Sequence, residues 1–159
     1  EFFIVYYSIN LMILCPLIFL ERCELRCFFL SLILATITGA VFFYILPCEC
    51  GYVREIPSYE PWKTVLTHFY KYDEPHNLVP SLHIAYTTTT LLFLRAKSKG
   101  AWYWGFHIWA LAIYCSVILT HQHHLIDILT GLALSLCVYE FVQRVAKPAT
   151  HLLNPPVEA

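Results

Sequence analysis

The chain has 159 residues, 58% of them hydrophobic and only 13% charged, against roughly 45–50% and about 25% in soluble domains. That is the balance of a membrane protein, in a length that suits one domain. A net charge of −1 leaves no basic surplus to neutralise phosphates, which excludes a nucleic-acid partner.

Five apolar segments follow in chain order. "FFIVYYSINLMILCPLIFL" (2–20) and "CFFLSLILATITGAVFFYILP" (27–47) carry no charge, and each can span a hydrocarbon core that needs about 20 helical residues. Pro16 is tolerable inside a membrane helix. A third helix is predicted from about Ser81 to Leu94, short for a span unless it starts below the interface. The fourth covers 101–120, with Trp102, Tyr103 and Trp104 as an interfacial aromatic belt. The fifth runs from about His124 to Val142.

The connections differ in charge. The loops 21–26 and 95–100 and the tail after Val142 hold Arg22, Arg26, Arg95, Lys97, Lys99, Arg144 and Lys147, seven of the ten basic residues. By the positive-inside rule these face the cytoplasm, and the 48–80 segment and the 120–124 turn face outward. Prolines 57, 61, 75 and 80 cut the long outer segment into pieces. Within it "PWKTVLTHFYKY" (61–72) puts Trp62, Val65, Leu66 and Phe69 on one face of an amphipathic helix. Cys15, Cys27, Cys115 and Cys137 lie in apolar runs, where cysteine acts as a small hydrophobe. Cys48 and Cys50 in "PCECG" could chelate or cross-link.

Two polar stretches stand out on the outer side. In "HQHHLIDIL", His123 and Asp127 are four apart and share a helix face. An ionisable pair at the end of a membrane helix points to function, since burying it unpaired costs several kcal/mol. A carboxylate against an imidazole fixes its tautomer and frees the other nitrogen, making His123 a general base or a nucleophile; the alternative is a structural clamp between helices. In "LVPSLHIAY", Pro80 and Ser81 suit a helix entrance with Ser81 as N-cap. The N–H groups and dipole of such an entrance attract an anion such as phosphate. His83 could protonate a leaving oxygen, or simply make an interhelical hydrogen bond. A zinc site built from His121, His123, His124 and Asp127 is the chemical rival. However, neighbours on a helix point about 100° apart, and zinc leaves Ser81 and His83 unexplained.

"PSLH" followed by "HHLID" resembles the signatures of the type 2 phosphatidic acid phosphatase superfamily (the vanadium-haloperoxidase-like phosphatases). Its second signature is Pro-Ser-x-His and its third ends in His-x-x-x-Asp. The resemblance covers about residues 45–143. It implies a metal-independent enzyme in which His123 attacks phosphorus, Asp127 orients it, His83 protonates the leaving group and Ser81 binds a phosphate oxygen. No cofactor is implied.

The serine and arginine that precede the nucleophile in the standard third signature fall here at Ser116 and Val117. The first signature, Lys-x6-Arg-Pro, is absent. Arg54 in "YVREIP", with Lys71 behind it, is the best substitute for the missing cations, because a pentavalent phosphate needs cationic or N–H stabilisation. "THQHHLID" is similar to the subgroup of sphingomyelin and inositol-phosphorylceramide synthases, in which a histidine two before the nucleophile, His121 here, helps hold phosphate. "PHNLVPSLHIAY" with "LTHQHHLIDILTG" also resembles bacterial membrane members of that subgroup, some of them fused to a dual-specificity phosphatase. A fused or separate soluble phosphatase domain is thus an implied partner, beside the membrane and a lipid phosphate substrate.

The expectation is an all-α integral membrane bundle over residues 1–147 with a tail at 148–159. It shows five membrane helices of a six-helix fold, the sixth lying before Glu1, and an active site on the outer face. The expected activity is that of a membrane phosphatase or phosphotransferase acting on lipid phosphate esters. The alternative is an inactive interaction or transport protein with the same fold.

Overall fold

The computed structural model of the chain describes residues 2–48, 51, 56–72 and 78–153. The described elements are all helices: α1 (Phe2–Tyr7), α2 (Ile9–Leu14), α3 (Pro16–Phe19), α4 (Arg22–Ile45), α5 (Trp62–Tyr72), α6 (Leu82–Arg95), α7 (Ala101–Leu119) and α8 (Leu125–Leu153). The expected all-α bundle is found. Among the described residues, four stretches are long and apolar enough to cross a membrane: Phe2–Phe19, α4, α7 and Leu125–Ala146 of α8.

The first segment, expected as one helix, is loosened at two points. Ser8 and Cys15 keep right-handed helical backbone angles. At Ser8, however, the hydroxyl donates to the Val5 carbonyl at 2.6 Å, competing with the helical ladder. At Cys15 the N–H turns to Met12 O at 3.1 Å, just before Pro16, which has no N–H to donate.

The expected charged loop 21–26 shrinks to its first residue. Glu21 and Glu24 form a reciprocal capping box that starts α4 at Arg22, so the charges of this stretch sit on a helix turn instead. Lys97 ties the same end to the α6–α7 loop, 3.0 Å from Glu24 and 3.6 Å from Glu21. α8 outruns its expected end at Val142, because Gln143, Arg144 and Ala146 are polar or small but good helix formers. On α5, Leu66 is buried and Val65 exposed.

α6 is the hub. It has 14 residues, roughly 21 Å at about 1.5 Å each, short of a hydrocarbon core of roughly 30 Å. Yet α2, α3, α4, α7 and α8 all pack on it, and nine of its residues, Thr87–Thr90 among them, are buried.

Cross-contacts give the directions. Ser81 meets Asp127, Thr89 meets Ser135 at 3.0 Å, and Phe93 meets Tyr139 with ring centroids 5.2 Å apart. Both numbers rise together, so α6 and α8 run parallel. Against α4 the order reverses: Gly39 abuts Leu82, Thr36 Oγ1 is 2.7 Å from Tyr86 OH, and Phe28 packs on Phe93. α7 likewise runs antiparallel to the first segment, with Tyr6 beside Val117, Ser8 bound by Trp109 and Phe19 on Phe106. α6 and α8 therefore begin at one end of the bundle, opposite the Glu21–Glu24–Lys97 cluster.

The parallel pair closes tightly at its start because α8 has a glycine there. A Cβ on Gly131 would lie 2.5 Å from the Ser81 carbonyl oxygen and 3.0 Å from Ile84 Cβ, closer than any side chain can sit. Gly131→Ala is expected to lower the unfolding temperature in detergent, reflecting an overpacking cost of about 1–3 kcal/mol. Gly105→Ala, whose added carbon meets open space beyond its own helix backbone, serves as the control and leaves it unchanged or raised. Equal behaviour of the two variants would contradict the close approach.

Candidate active site

The site grows out of the two parallel helix starts. Ser81 is the N-cap of α6, in extended conformation (φ −65°, ψ 111°), and its Oγ accepts from Ile84 N–H at 3.4 Å. Its own N–H donates to the Asp127 backbone carbonyl at 3.1 Å, so the entrance of α6 is pinned to the first turn of α8. The first N–H groups of each helix have no intrahelical acceptor, and the positive dipole ends of both helices lie side by side. Such an arrangement attracts an anion.

Asp127 joins the local fold to the site chemistry. It stands three residues into α8 from His124, and its Oδ2 accepts from His124 N–H at 2.8 Å, the acidic half of a capping box. The same oxygen lies 3.2 Å from His123 Nδ1. Asp127 is 1% exposed and His123 7%. A carboxylate there puts the proton of neutral His123 on Nδ1 and leaves the lone pair on Nε2. Among the described residues Asp127 Oδ1 is buried with no hydrogen-bond partner. That is a costly state for a carboxylate oxygen.

His83, in the first turn of α6, approaches from the other side. The ring centroids of His83 and His123 are 6.4 Å apart, so the two imidazoles line one space. His83 Nδ1 is 3.2 Å from the Tyr6 hydroxyl, and the two rings stack at 4.2 Å and 28°. Gly51 lies against the His124 ring, which brings one point of the 48–80 segment to the same end.

Four residues singled out from the sequence, Ser81, His83, His123 and Asp127, thus meet at one end of the bundle. The other three stand differently. His121 is exposed in the α7–α8 turn with left-handed backbone (φ 53°). Lys71 is exposed in the last turn of α5. Arg54 lies outside the described residues.

Val117, at the arginine position of the third signature, is fully buried beside Tyr6, Ile84 and Ile128. Ser116 is buried too, its hydroxyl donating to Ile113 O at 2.8 Å. Both serve the core. Among the described residues, no three or more His, Cys, Asp or Glu side chains are grouped to hold a metal ion. Tyr6 escaped the sequence reading. It sits in an apolar run beside another tyrosine, with no local signal to mark it.

The chain is an all-helical bundle of membrane-spanning composition, with two imidazoles, an aspartate and a serine cap gathered at one end. The chain belongs to the PAP2 superfamily, whose profile matches residues 2–141. The match takes in the first two apolar segments, which the resemblance over 45–143 left out. Membership fits a phosphatase-type function. No curated protein and no solved structure matches the chain at a significant level.

The double duty of Asp127 is open to measurement. Asp127→Ala removes the acceptor of His124 N–H as well as the partner of His123, and it is expected to cost about 1–2 kcal/mol, as lost caps do. Asp127→Asn keeps a carbonyl oxygen for the cap and is expected to lose less. Thermal unfolding in detergent should rank them parent, Asn, Ala; an alanine variant as stable as the parent would remove the capping role.

Proposed function

We propose that the chain is a membrane phosphatase or phosphotransferase that cleaves lipid phosphate esters through a phosphohistidine on His123. The observation that carries this reading is the Asp127–His123 contact facing His83. One imidazole is oriented with a free nitrogen, and a second lies across the same space. His123 Nε2 attacks phosphorus, forming the N–P bond as the ester P–O bond breaks. The electron pair leaves on the ester oxygen, which takes a proton from His83. Water or an alcohol then attacks the phosphohistidine, giving its proton to His83 and returning His123.

Ser81 and the N-termini of α6 and α8 hold the phosphate oxygens in this reading, with Arg54, Lys71 and His121 as the supplementary cationic and hydrogen-bonding groups. Placing the chain with the sphingomyelin and inositol-phosphorylceramide synthase subgroup rests on "THQHHLID". A lipid substrate gains support from an apolar groove of about 350 Å³ between α4 and α8. Its lining includes Phe42, Val79, Pro80, Thr130 and Leu134, so it runs beside the Ser81 cap. An outward-facing site is supported by its distance from the basic loops at the other end of the bundle. Residues 1–147 would act as the single catalytic domain.

Burial of Val117 where the third signature has arginine favours the second reading, an inactive member of the same fold. A labelled-headgroup assay with purified chain in detergent separates the possibilities. Parent protein is expected to release labelled phosphate or to transfer the labelled group to an added alcohol, the product distinguishing hydrolysis from transfer. His123→Ala is expected to lose at least about 10³-fold, as removal of a covalent nucleophile does. Equal activity of the two would end the nucleophile assignment, and no turnover by the parent on any lipid phosphate would favour the inactive fold.

A further inference from the structure

Tyr6 belongs to the first helix, far in sequence from both signatures, yet it makes the only described hydrogen bond to a His83 ring nitrogen. It is 3% exposed and packed in one cluster with Ile84, Val117 and Ile128. Its helix is anchored two residues on, where Ser8 Oγ accepts from Trp109 Nε1 at 2.8 Å. The ring is therefore a fixed wall, held by α7 and α8 together.

Two restraints act on His83 at once. Stacking at 4.2 Å and 28° sets the plane of the imidazole, and the 3.2 Å contact from Nδ1 to the hydroxyl sets its rotation within that plane. We infer that Tyr6 is a positioning residue for proton transfer, holding His83 so that Nε2 exchanges the proton with the leaving and attacking oxygens. The inference rests on the reading of His83 as the acid.

The proton count supports it. In the imidazolium form Nδ1–H donates to the phenol oxygen and Nε2–H faces the leaving group. When the ester P–O bond breaks, the proton leaves from Nε2, and Nδ1–H keeps its acceptor. The neutral ring then offers the Nε2 lone pair to the incoming water or alcohol, and the cycle closes with no change at Nδ1. A phenol oxygen can accept throughout. A phenylalanine would supply only the stack.

Val117 gains a meaning here as well. A long cation at that position would have to displace the packing behind Tyr6, whereas valine fills it.

Tyr6→Phe keeps the ring and deletes the hydroxyl. The test compares kcat/KM for an alkyl phosphate, whose leaving oxygen needs a proton, with that for p-nitrophenyl phosphate, whose leaving group does not. The alkyl ester is expected to slow roughly 10- to 100-fold, part of the 10²–10⁴ that general acid catalysis supplies, and the nitrophenyl ester less than about threefold. The ratio of the two rates is independent of how much of the variant is folded. An equal fall in both, or in neither, overturns the assignment.

In a His83→Ala background the same change is expected to alter the alkyl rate less than about twofold, because the two groups act as one unit; a further large fall would make Tyr6 a packing residue only. His123→Ala distinguishes the underlying reading. If that variant keeps parental activity, the phosphohistidine chemistry fails and the inference with it. If it is inactive while Tyr6→Phe slows both esters alike, the inference alone fails.

Discussion

The arrangement depends on one contact between backbones: Ser81 N–H donating to the Asp127 carbonyl, 3.1 Å away, across an approach that only glycine at position 131 permits. That bond sets two parallel helices flush at their N-termini. Parallel neighbours are electrostatically the less comfortable arrangement, since like ends of two macrodipoles meet. An anion placed between them turns the penalty into attraction. The two histidines ride on the same junction, one in the first turn of α6 and one just before α8. Separating the helices would therefore part the two dipole ends and both histidines together.

The rest of the bundle holds that junction in register. Polar side chains cross between helices at several depths: Thr36 to Tyr86 and Thr88 to Tyr114 at 2.7 and 2.8 Å, Thr89 to Ser135 at 3.0 Å, and Ser8 to Trp109. In an apolar medium such bonds add about 0.6 kcal/mol each on average, and close packing of small residues supplies much of the remainder. α6 takes part in three of the four. Two of its four consecutive threonines, Thr88 and Thr89, make these crossings, while Thr87 bonds back to the His83 carbonyl within α6.

Legibility in the sequence followed the reach of each signal. Ser81, His83, His123 and Asp127 could be read because each pair lies within five residues of sequence, though His123 precedes α8 and meets Asp127 at the helix cap, not on the shared helix face that the spacing suggested. The apolar runs gave the helices for the same local reason. The loosening at Ser8 and Cys15 was less visible, since both residues keep helical angles and only the bonding changes. The 21–26 stretch was misread as loop because its charges hid a capping box. Tyr6 could not be found at all: its importance comes from a contact with a residue 77 positions away, and nothing in "FFIVYYSIN" distinguishes it from Tyr7. Val117 looked like a missing cation and is a core residue supporting Tyr6, which is a property of packing and not of motif. His121, assigned to the phosphate by resemblance, and Lys71, chosen because a phosphate needs a cation, are exposed; no helical spacing tied either of them to the signature histidines.

The proposed reaction requires a covalent bond between phosphorus and one nitrogen of His123. Rapid quenching of parent protein turning over a lipid phosphate labelled in the phosphoryl group, followed by peptide mass spectrometry under alkaline conditions, looks for that bond directly. Label is expected on the peptide containing His123, localised to that residue, formed within one turnover and discharged by water or alcohol. Label on any other side chain, or steady turnover by an active enzyme with no phosphorylated peptide at any quench time, would contradict the proposed reaction.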